Sequence, residues 1–413
     1  MTEWTQRKVS DLIDGLRAGV SVRSSPGVNG GPAVLKTSAI KSGRFDPSEV
    51  KTILKAELQR AKCPVAADSL IISRMNTPAL VGDVGYVDEE RADLYLPDRL
   101  WLAQKKRNSD TDMRWLTYHF SSEPGSRELR DLATGTSGSM KNIPKNKVLN
   151  LVIPTPSPLE QQAIADAIAD ADGLIESLKR LISKKQAIKQ GMMQELLTGR
   201  TRLPGFSASW FSSTWGELAL GISSGATPRR GVAEYWNGEI PWVTSTELKR
   251  GPVDSIPQSI TTAGLRAANL RIWPAGTFLM AITGLEAAGT RGKCGLLSVA
   301  AATNQSCMAV APGPDLDTEF LFYYYLHYGN DLAFKYVQGT KQQSYTAAIV
   351  KKLPIHLPSD VSEQQAIAQV LRDADHEIAA LERCLESARN IKQGMMQELL
   401  TGRTRLPFEG ESA

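Results

Sequence analysis

The stretch IKQGMMQELLTGRTRLP occurs twice, letter for letter, at residues 188–204 and 391–407. It closes a longer repeat, because residues 160–204 return without a gap as residues 363–407, an offset of 203 (363 − 160). Two such offsets account for nearly all of the 413 residues. We therefore predict two tandem units, each consisting of a variable block followed by a repeated helical segment.

The repeated segments have the pattern of paired helices. The first helix is predicted over residues 158–197, from a Pro-Leu-Glu start to a Thr-Gly stop. Its apolar positions alternate steps of four and three, which is the spacing of a coiled-coil seam, and the second copy has the same row. One helix alone cannot bury such a stripe, so we predict that the two pack together. The seam positions are Ile164, Ile168, Ala171, Ile175, Leu178 and Ile182, and Ile367, Leu371, Ala374, Ile378, Leu381 and Leu385.

The blocks before the helices contain short apolar runs, such as SLIISRM and LYLPDRLWLAQ, broken by turn-forming residues. The predicted fold class is α/β (α+β): two mixed blocks separated by two long helices that form an antiparallel coiled coil with an internal pseudo-two-fold symmetry. The predicted boundaries are 1–157 for the first block, 158–204 for the first helical spacer, 205–359 for the second block and 360–413 for the second spacer and tail.

Composition excludes several classes of protein. With 42% hydrophobic and 22% charged residues, the chain resembles ordinary globular proteins. It has no apolar run near the roughly 20 residues that cross a bilayer and no signal-peptide pattern, so we expect no membrane partner and a cytoplasmic location. The net charge of 48 − 44 = +4 favours a polyanionic partner only weakly. Four scattered cysteines without a CxxC pair predict buried thiols, with no disulfide framework and no metal site.

No catalytic constellation is evident. The Asn-Pro-Pro-Tyr and Asp-Pro-Pro-Tyr motifs of amino-methyltransferases are missing, and GTRGKCG at residues 289–295 lacks the spacing of a phosphate-binding loop. The four histidines have no nucleophile motif beside them. We therefore predict no catalytic residues and no cofactor.

The two blocks also resemble each other. Residues 35–46 align with residues 243–254, with Lys41 opposite Lys249 and Gly43 opposite Gly251. Just before each helix, residues 135–141 and 339–345 are rich in small, hydroxyl and amide side chains. Such loops suit hydrogen bonds to phosphates and base edges, although they also suit ordinary turns.

Several motifs together make the whole chain resemble the specificity subunits of type I restriction-modification systems. They are the order block, helix, block, helix; the helix openings PLEQQAIA and SEQQAIA; the helix ends KQGMMQELLTGR; and, in the second block, GEIPWV at residues 238–243 and ATNQSC at residues 302–307. The first block departs from the pattern, having YLPDRL at residues 95–100 where the second has its Asn-Gln motif.

The resemblance implies two target-recognition domains, each reading one half of a bipartite sequence in double-stranded DNA, held apart by the coiled coil. It further implies that two methyltransferase subunits dock on the helices, with restriction subunits joining through the complex. The specificity subunit itself would do no chemistry. A pseudo-two-fold axis matches the symmetry of duplex DNA and would place the half-sites on opposite strands.

Candidate DNA-binding residues are cationic, amide and hydroxyl side chains in the loops, because these are the groups that contact bases and phosphates. In the first block they are Lys36, Ser38, Lys41, Arg44, Arg74, Lys105, Lys106, Arg107 and Lys141. In the second block they are Arg229, Arg230, Thr246, Lys249, Arg250, Arg291, Lys293, Lys341, Gln342, Gln343 and Tyr345.

Candidate subunit-docking residues come from the identical helix ends. Core packing constrains only an inward face, so identical exposed residues indicate either recent duplication or two equal docking surfaces, and the methionines fit either a core or an adaptable patch. The candidates are Lys189, Met192, Met193 and Gln194, with Lys392, Met395, Met396 and Gln397.

Two other functions remain open at this point. A two-lobed coiled-coil scaffold would bind no DNA in any assembly. A single-chain restriction-modification enzyme would transfer methyl groups by itself, which the missing motifs argue against.

Overall fold

The structure is a computed structural model that describes residues 4–26, 30–135, 140–337 and 343–406. It consists of mixed sheets and helices, as the sequence predicted. The chain forms two compact units, one made of Met1–Lys179 with Arg383–Ala413 and the other of Arg180–Glu382. Each unit therefore combines one block with parts of both long helices. The four domain boundaries taken from the sequence stay predictions.

The described residues of the first block form many short strands, four short α-helices and two 3-10 helices, Thr37–Ala39 and Lys55–Arg60. Its strands are β1 (Thr5–Lys8), β2 (Arg17–Ala18), β3 (Ser24–Pro26), β4 (Ala33–Leu35), β5 (Ile40–Lys41), β6 (Arg44–Phe45), β7 (Val50–Ile53), β8 (Pro64–Val65), β9 (Ser69–Ser73), β10 (Met75–Asn76), β11 (Val84–Val87), β12 (Arg91–Tyr95), β13 (Leu100–Gln104), β14 (Lys141–Asn142) and β15 (Val152–Thr155). Its helices are α1 (Val9–Leu12), α2 (Met113–Ser121), α3 (Glu123–Asp131) and α4 (Lys145–Leu149), and the long helix α5 (Pro158–Leu196) follows.

The second block repeats this plan with fewer strands. They are β16 (Trp210–Thr214), β17 (Ala219–Ser224), β18 (Trp236–Val243), β19 (Gly251–Val253), β20 (Ser259–Ile260), β21 (Phe278–Ala281), β22 (Cys294–Leu297), β23 (Ala302–Thr303), β24 (Cys307–Pro312) and β25 (Pro354–Pro358). The helices are α6 (Trp215–Leu218), α7 (Thr262–Ala267), α8 (Thr318–Tyr336) and α9 (Ala347–Lys351), followed by the long helix α10 (Val361–Leu399).

Each block has its own central sheet, and the two sheets have corresponding strand orders. In the first, the strand order is β11-β9-β13-β2, and in the second it is β22-β21-β24-β17 with β19 added at the β22 edge. A second sheet of the first block has the order β3-β7-β4-β12-β8, while the second block has the shorter β20-β18-β23. In both blocks a strand at the start pairs antiparallel with the strand before the long helix, β1 with β15 and β16 with β25. The faint sequence similarity between the blocks therefore reflects one fold.

The long helices confirm the predicted heptad seam. The predicted span 158–197 is observed as Pro158–Leu196. On α5 the buried seam residues are Ile164, Ile168, Ile175 and Ile182; on α10 they are Ile367, Leu371, Ile378 and Leu385. The remaining four seam positions are half-buried. The 3.5-residue spacing keeps these side chains on one face, which is why a stripe and not a scatter of positions is buried.

Ion pairs show that the two long helices run antiparallel within each unit. In the first unit, Asp172 on α5 accepts from Lys392 on α10 at 2.6 Å. In the second unit, Lys189 on α5 lies 2.5 Å from Asp375 on α10. The second pair is the first shifted by 203 residues with its partners exchanged, so the two units repeat one helix contact.

A buried ion pair fastens each helix start. Glu160 is 1% exposed and receives two hydrogen bonds from Arg405, at 2.5 and 2.7 Å, in the first unit. In the second unit Glu363, with none of its surface exposed, receives the same two bonds from Arg202, at 2.5 and 2.6 Å. A buried carboxylate needs such a bidentate partner to offset its lost hydration. The repeated TGRTRLP segment thus ties the end of one helix to the start of the other.

An ion pair also joins each block to its own long helix, and the signs of the two charges are reversed between the units. In the first unit Arg114 on α2 lies 2.8 Å from Asp166 on α5. In the second unit Glu319 on α8 lies 2.6 Å from Arg372 on α10. Because the signs are reversed, exchanging the partners would place like charges together.

The cysteines follow the sequence prediction in part. Cys294 and Cys307 are buried free thiols, and burial raises the pKa of both. Cys63 is half-buried, and Cys384 is exposed. The prediction of buried thiols was wrong for Cys384, because it lies on the outer face of α10, away from the seam.

His119 on α2 makes the first unit sensitive to acid. It is 6% exposed, neither ring nitrogen has a hydrogen-bond partner among the described residues, and burial lowers its pKa from 6.5 to about 4. The unfolded chain binds this proton below pH 6.5 and the folded chain only near pH 4, so stability falls as the pH drops through that window. We expect urea unfolding of His119→Phe to lose this part of the pH dependence.

The matched control is His356→Phe, at an exposed histidine of the second block. It should leave the slope of stability against pH between 6.5 and 4 as in the natural chain. Equal slopes for the natural chain and His119→Phe would contradict the assignment to His119.

Candidate nucleic-acid interface

The site begins at a parallel strand pair in the second block. Strand β18 ends with GEIPWV and β23 begins ATNQSC, and the two pair with Trp242 opposite Ala302 and Val243 opposite Thr303. The structure therefore joins the two motifs that the sequence singled out separately. The loop after β23 carries Asn304 and Gln305 to one edge of the sheet.

The first block has the equivalent pair. Strand β4 pairs parallel with β12, with Leu94 opposite Ala33 and Tyr95 opposite Val34. The YLPDRL segment then leads into β13 as ATNQSC leads into β24. The departure seen in the sequence is thus a replacement of side chains at the same place in the fold.

In both blocks a glycine packs directly against the backbone at the end of the parallel strand pair. A Cβ at Gly19 would lie 1.6 Å from the carbonyl oxygen of Leu96, and a Cβ at Gly225 would lie 1.7 Å from that of Thr303. Neither position tolerates a side chain, because real Cβ atoms never approach backbone so closely. This contact places residues after Gly19 and after Gly225 beside the loop that follows the parallel pair.

The first block has an open groove at this place. Its volume is about 480 Å³, and its lining residues are Ser21, Val22, Ser24, Val34, Leu35, Lys36, Thr37, Ser38, Lys51, Pro97, Asp98 and Arg99. Inside it, Lys36 lies 3.4 Å from Glu49, and the Ser38 hydroxyl donates to the same carboxylate at 2.6 Å. These bonds hold both predicted side chains against the Glu49 carboxylate.

The other candidates of the first block differ in how strongly contacts within the protein hold their side chains. Lys41 and Arg107 are exposed, without a side-chain partner in the described part of the chain. Lys105 is 3.9 Å from Asp68, Lys106 donates to the Ser10 carbonyl at 3.1 Å, and Lys141 donates to the Gly135 carbonyl at 2.7 Å. Lysines held this loosely at a surface remain free to contact phosphates.

Two arginines of the first block serve the fold. Arg44 bridges Asp172 at 2.8 Å and Glu176 at 2.5 Å on α5. Arg74 is half-buried with its guanidinium 5.5 Å from the Trp101 ring centroid, and its Nε is buried without a partner. Both side chains are occupied within the unit.

The second block surrounds its site with cations and amides. Arg229, Arg230, Thr246, Lys249 and Arg250 are exposed. Arg250 donates to the Arg291 carbonyl at 2.8 Å, which brings the loop after β18 against the loop before β22. The latter loop also carries Lys293, which is half-buried. Arg250 and Lys293 therefore lie on two loops that contact each other.

Three predicted DNA-binding residues of this block make contacts within the block or are buried in it. The Arg291 guanidinium lies 4.0 Å from the Phe334 ring centroid and bonds two backbone carbonyls. The backbone N–H of Gln343 donates to the Glu286 carboxylate at 3.1 Å. Tyr345 is 2% exposed in the core, so DNA cannot reach it, and its prediction as a DNA contact is not supported. Lys341 and Gln342 lie outside the described residues.

Sequence reasoning missed four side chains at this site: Thr227, Trp236, Gln258 and Gln305. The Thr227 hydroxyl donates to Gln305 at 2.5 Å, and Gln258 accepts from Arg230 at 2.9 Å. The Asn-Gln motif and the tryptophan before GEIPWV were visible signals. Gln258 had none, since it reaches the site only through the antiparallel β18–β20 pair.

The comparisons with known proteins agree with this architecture. The family model described as "Type I restriction modification DNA specificity domain" matches residues 1–187 and 209–387. The chain belongs to that family. Two copies of the specificity domain therefore fill most of its length, each ending in a long helix.

Relatives and solved structures support the same conclusion. The putative type I restriction enzyme MjaX specificity subunit of Methanocaldococcus jannaschii is 21% identical over 98% of this chain and 94% of its own. The MjaIX specificity subunit of the same organism is 29% identical, but over 36% of this chain and only 34% of its own. The type I S subunit of M. genitalium has the same fold, with a TM-score of 0.60 at 15% identity, over 97% of this chain and 99% of that one.

In this specificity-domain protein, each block meets its helix through a repeated triad. The Tyr118 hydroxyl donates to Asp172 at 3.4 Å, and the Lys392 ammonium lies 5.6 Å from the Tyr118 ring centroid. Tyr323, Asp375 and Lys189 make the same contacts in the second unit, at 3.0 and 5.6 Å. Burial would raise the pKa of Asp172, but hydrogen bonds from Lys392 and Arg44 outweigh it and lower that pKa.

These contacts bear on the predicted docking residues. Lys189 and Lys392 are 17% and 16% exposed at their side chains and paired as above. Met193 is 5% exposed in the core of the second unit, so it fills a core and does not form a docking patch. Met192 packs partly on the same core, and Met395 and Met396 pack partly on the core of the first unit. Gln194 and Gln397 are exposed.

The described residues contain no group of three or more His, Cys, Asp or Glu side chains placed to hold a metal ion. None of the helices described has the length and apolar character needed to cross a membrane.

Proposed function

We propose that this chain reads a bipartite sequence in double-stranded DNA, one half-site with each block, and directs methyltransferase and restriction subunits to it without chemistry of its own. The observation that carries the proposal is the pair of specificity-domain matches, at residues 1–187 and 209–387, each with its own polar edge beside a parallel strand pair. Such a protein works where the DNA is, in the bacterial or archaeal cytoplasm.

The exposed candidates supply the phosphate and base contacts in this proposal. Lys41 and Lys249 occupy equivalent positions, one residue before a left-handed residue in each block, Ser42 at φ 49° and Arg250 at φ 63°. Each is exposed in its own block, so in this proposal each contributes to binding at one half-site. The two blocks differ beside their parallel strand pairs: the first has its open groove, and the second has the tryptophan pair Trp236 and Trp242. In this proposal these differences make the half-sites differ.

Docking of methyltransferase subunits is assigned to an identical exposed face of the helix ends. In one copy it consists of Ile188, Gly191 and Gln194, spaced three apart on one side of the helix, and in the other of Ile391, Gly394 and Gln397. Ile188 and Ile391 are 45% and 62% exposed. Beyond the adjacent backbone of its own helix, a Cβ on either glycine would meet no atom of the described residues within 4 Å. Residues identical on an outward face suit two copies of one partner.

The function is tested by sequencing adenine methylation across the genome of the source cell, with and without this gene. A split motif with a fixed unread gap should lose methylation on both strands when the gene is deleted. An unchanged methylome, with the neighbouring methyltransferase expressed, would contradict the proposal and favour a scaffold.

The docking face is tested by Gly191→Arg with Gly394→Arg. At both positions an added Cβ has open space among the described residues, and arginine favours a helix over glycine by about 1 kcal/mol, so the variant should fold at least as stably. The methyltransferase should bind it at least tenfold more weakly in titration calorimetry. Gly173→Arg is the control, since Gly173 is also an open position on α5 but outside the repeated face. Equal binding by both variants would place docking elsewhere.

A further inference from the structure

Arg230 is an exposed side chain held almost rigidly. Its guanidinium carbon lies 4.3 Å from the ring centroid of Trp236 and 5.2 Å from that of Trp242. Its Nη1 donates to the side-chain oxygen of Gln258 at 2.9 Å. Exposed arginines normally move among many rotamers, whereas this one is fixed by two rings and an amide.

The groups that hold Arg230 are themselves fixed. Trp242 is 1% exposed and donates its indole N–H to the Ala226 carbonyl at 3.1 Å. Trp236 donates its indole N–H to the Arg229 carbonyl at 3.2 Å, and the two rings meet edge to face with centroids 5.2 Å apart. The loop that carries Arg230 is therefore anchored to both rings, and little conformational freedom remains to be lost when a ligand binds.

The charge of Arg230 has no carboxylate beside it. Arg44, Arg114 and Arg372 each lie within 2.9 Å of an acidic side chain, whereas Arg230 belongs to none of the ion pairs among the described residues. With Nη1 bound to Gln258, its Nε and Nη2 have no partner among the described residues and form a donor fork. A rigid, uncompensated fork at a surface is suited to an anion or to a pair of acceptors.

The fold does not need this cluster. In the first block Val34 stands in the parallel strand pair where the second has Trp242, and Ser24 follows Gly19 by the same five residues that separate Arg230 from Gly225. That block leaves an open groove of about 480 Å³ at the same place. Since the sheet forms with or without the stack, the stack serves what the second block binds.

We propose that Arg230, positioned by Trp236, Trp242 and Gln258, reads a guanine in the second half-site through its Nε/Nη2 fork. The O6 and N7 atoms of guanine are two acceptors in one plane at the spacing of this fork, and the pair distinguishes guanine from the other bases in the major groove. Gln305 lies nearby, its side-chain oxygen engaged by Thr227 at 2.5 Å, so its amide N–H groups are left for a neighbouring acceptor. This inference rests on the proposed function.

The test uses the full chain in complex with its methyltransferase, carrying Arg230→Lys. Methylation of a library of duplexes that varies every position of the split motif should show one guanine of the second half-site losing discrimination by about tenfold or more. The first half-site should be read as before. Lysine keeps the charge but not the planar fork, so a phosphate contact would survive it.

Two further variants sharpen the test. Arg271→Lys alters another exposed arginine of the second block that lies over a tryptophan, with its guanidinium 4.3 Å from the Trp273 ring centroid, and should leave the motif unchanged. Gln258→Leu removes one restraint on Arg230 and should relax the same guanine to a smaller extent. This second result identifies Gln258 as a positioning residue, because a merely structural loss would not select one base.

The outcomes test the guanine assignment and the proposed function separately. An unchanged motif, or a uniform loss of methylation over all sequences with the motif preserved, would overturn the guanine assignment and reduce Arg230 to a phosphate contact or a bystander. If the natural chain with its methyltransferase reads no split motif at all, the proposed function itself fails.

Discussion

Replacing Arg405 by alanine is expected to lower the free energy of unfolding of the first unit by about 3–5 kcal/mol. The guanidinium of Arg405 donates two hydrogen bonds to Glu160, which is 1% exposed at the start of α5. Without Arg405 this carboxylate keeps one indole N–H donor, from Trp4 at 3.2 Å, and its charge stays buried and uncompensated. The cost follows from the desolvation of that charge, which water cannot relieve.

Urea unfolding followed by circular dichroism measures this effect, with Arg403→Ala as the control. Arg403 lies in the same segment but is 62% exposed at its side chain and 3.9 Å from Glu398, so its removal should change stability by no more than about 0.5 kcal/mol. Replacing Glu160 and Arg405 together by methionine should recover most of the loss, because no charge is then left buried. Equal effects of Arg405→Ala and Arg403→Ala would refute the explanation.

Replacing Trp215 by alanine is expected to destabilise the second unit by about 3–5 kcal/mol. The Trp215 ring has none of its surface exposed and meets Phe278 and Tyr325 edge to face, with centroids 5.9 and 5.6 Å apart. Alanine would leave a cavity among rings that cannot collapse into it. The aromatic contacts themselves would also be lost.

The measurement is urea unfolding together with limited proteolysis, which reports which unit opens. Cleavage of Trp215→Ala should concentrate in the second block, and cleavage of Trp115→Ala, which alters a fully buried tryptophan of the first block, should concentrate there instead. Leu220→Ala is the surface control, since Leu220 is 80% exposed. A proteolytic pattern shared by the two tryptophan variants would mean that the units do not open separately.

The candidate site could be predicted from the sequence only by residue type. Lys41 and Lys249 could be found because their segments align, and the structure leaves both exposed. Tyr345 and Arg74 had equally suitable chemistry, yet one is buried in the core and the other is half-buried against Trp101. Local sequence does not determine which side chains are buried in the core, because burial depends on packing against elements that are distant in the chain.

By itself the sequence determined the repeat, the span of α5 to within a residue, the buried seam of both long helices and the two-copy organisation of a specificity-domain protein. These are properties of periodicity and of local helix signals, which act over a few residues. Only the tertiary structure decided how the helix pieces combine with the blocks and which polar groups meet, such as Glu160 with Arg405 or Arg230 with Gln258. Those contacts join residues 245 and 28 positions apart, so they arise from packing and hydrogen bonding that no local pattern encodes.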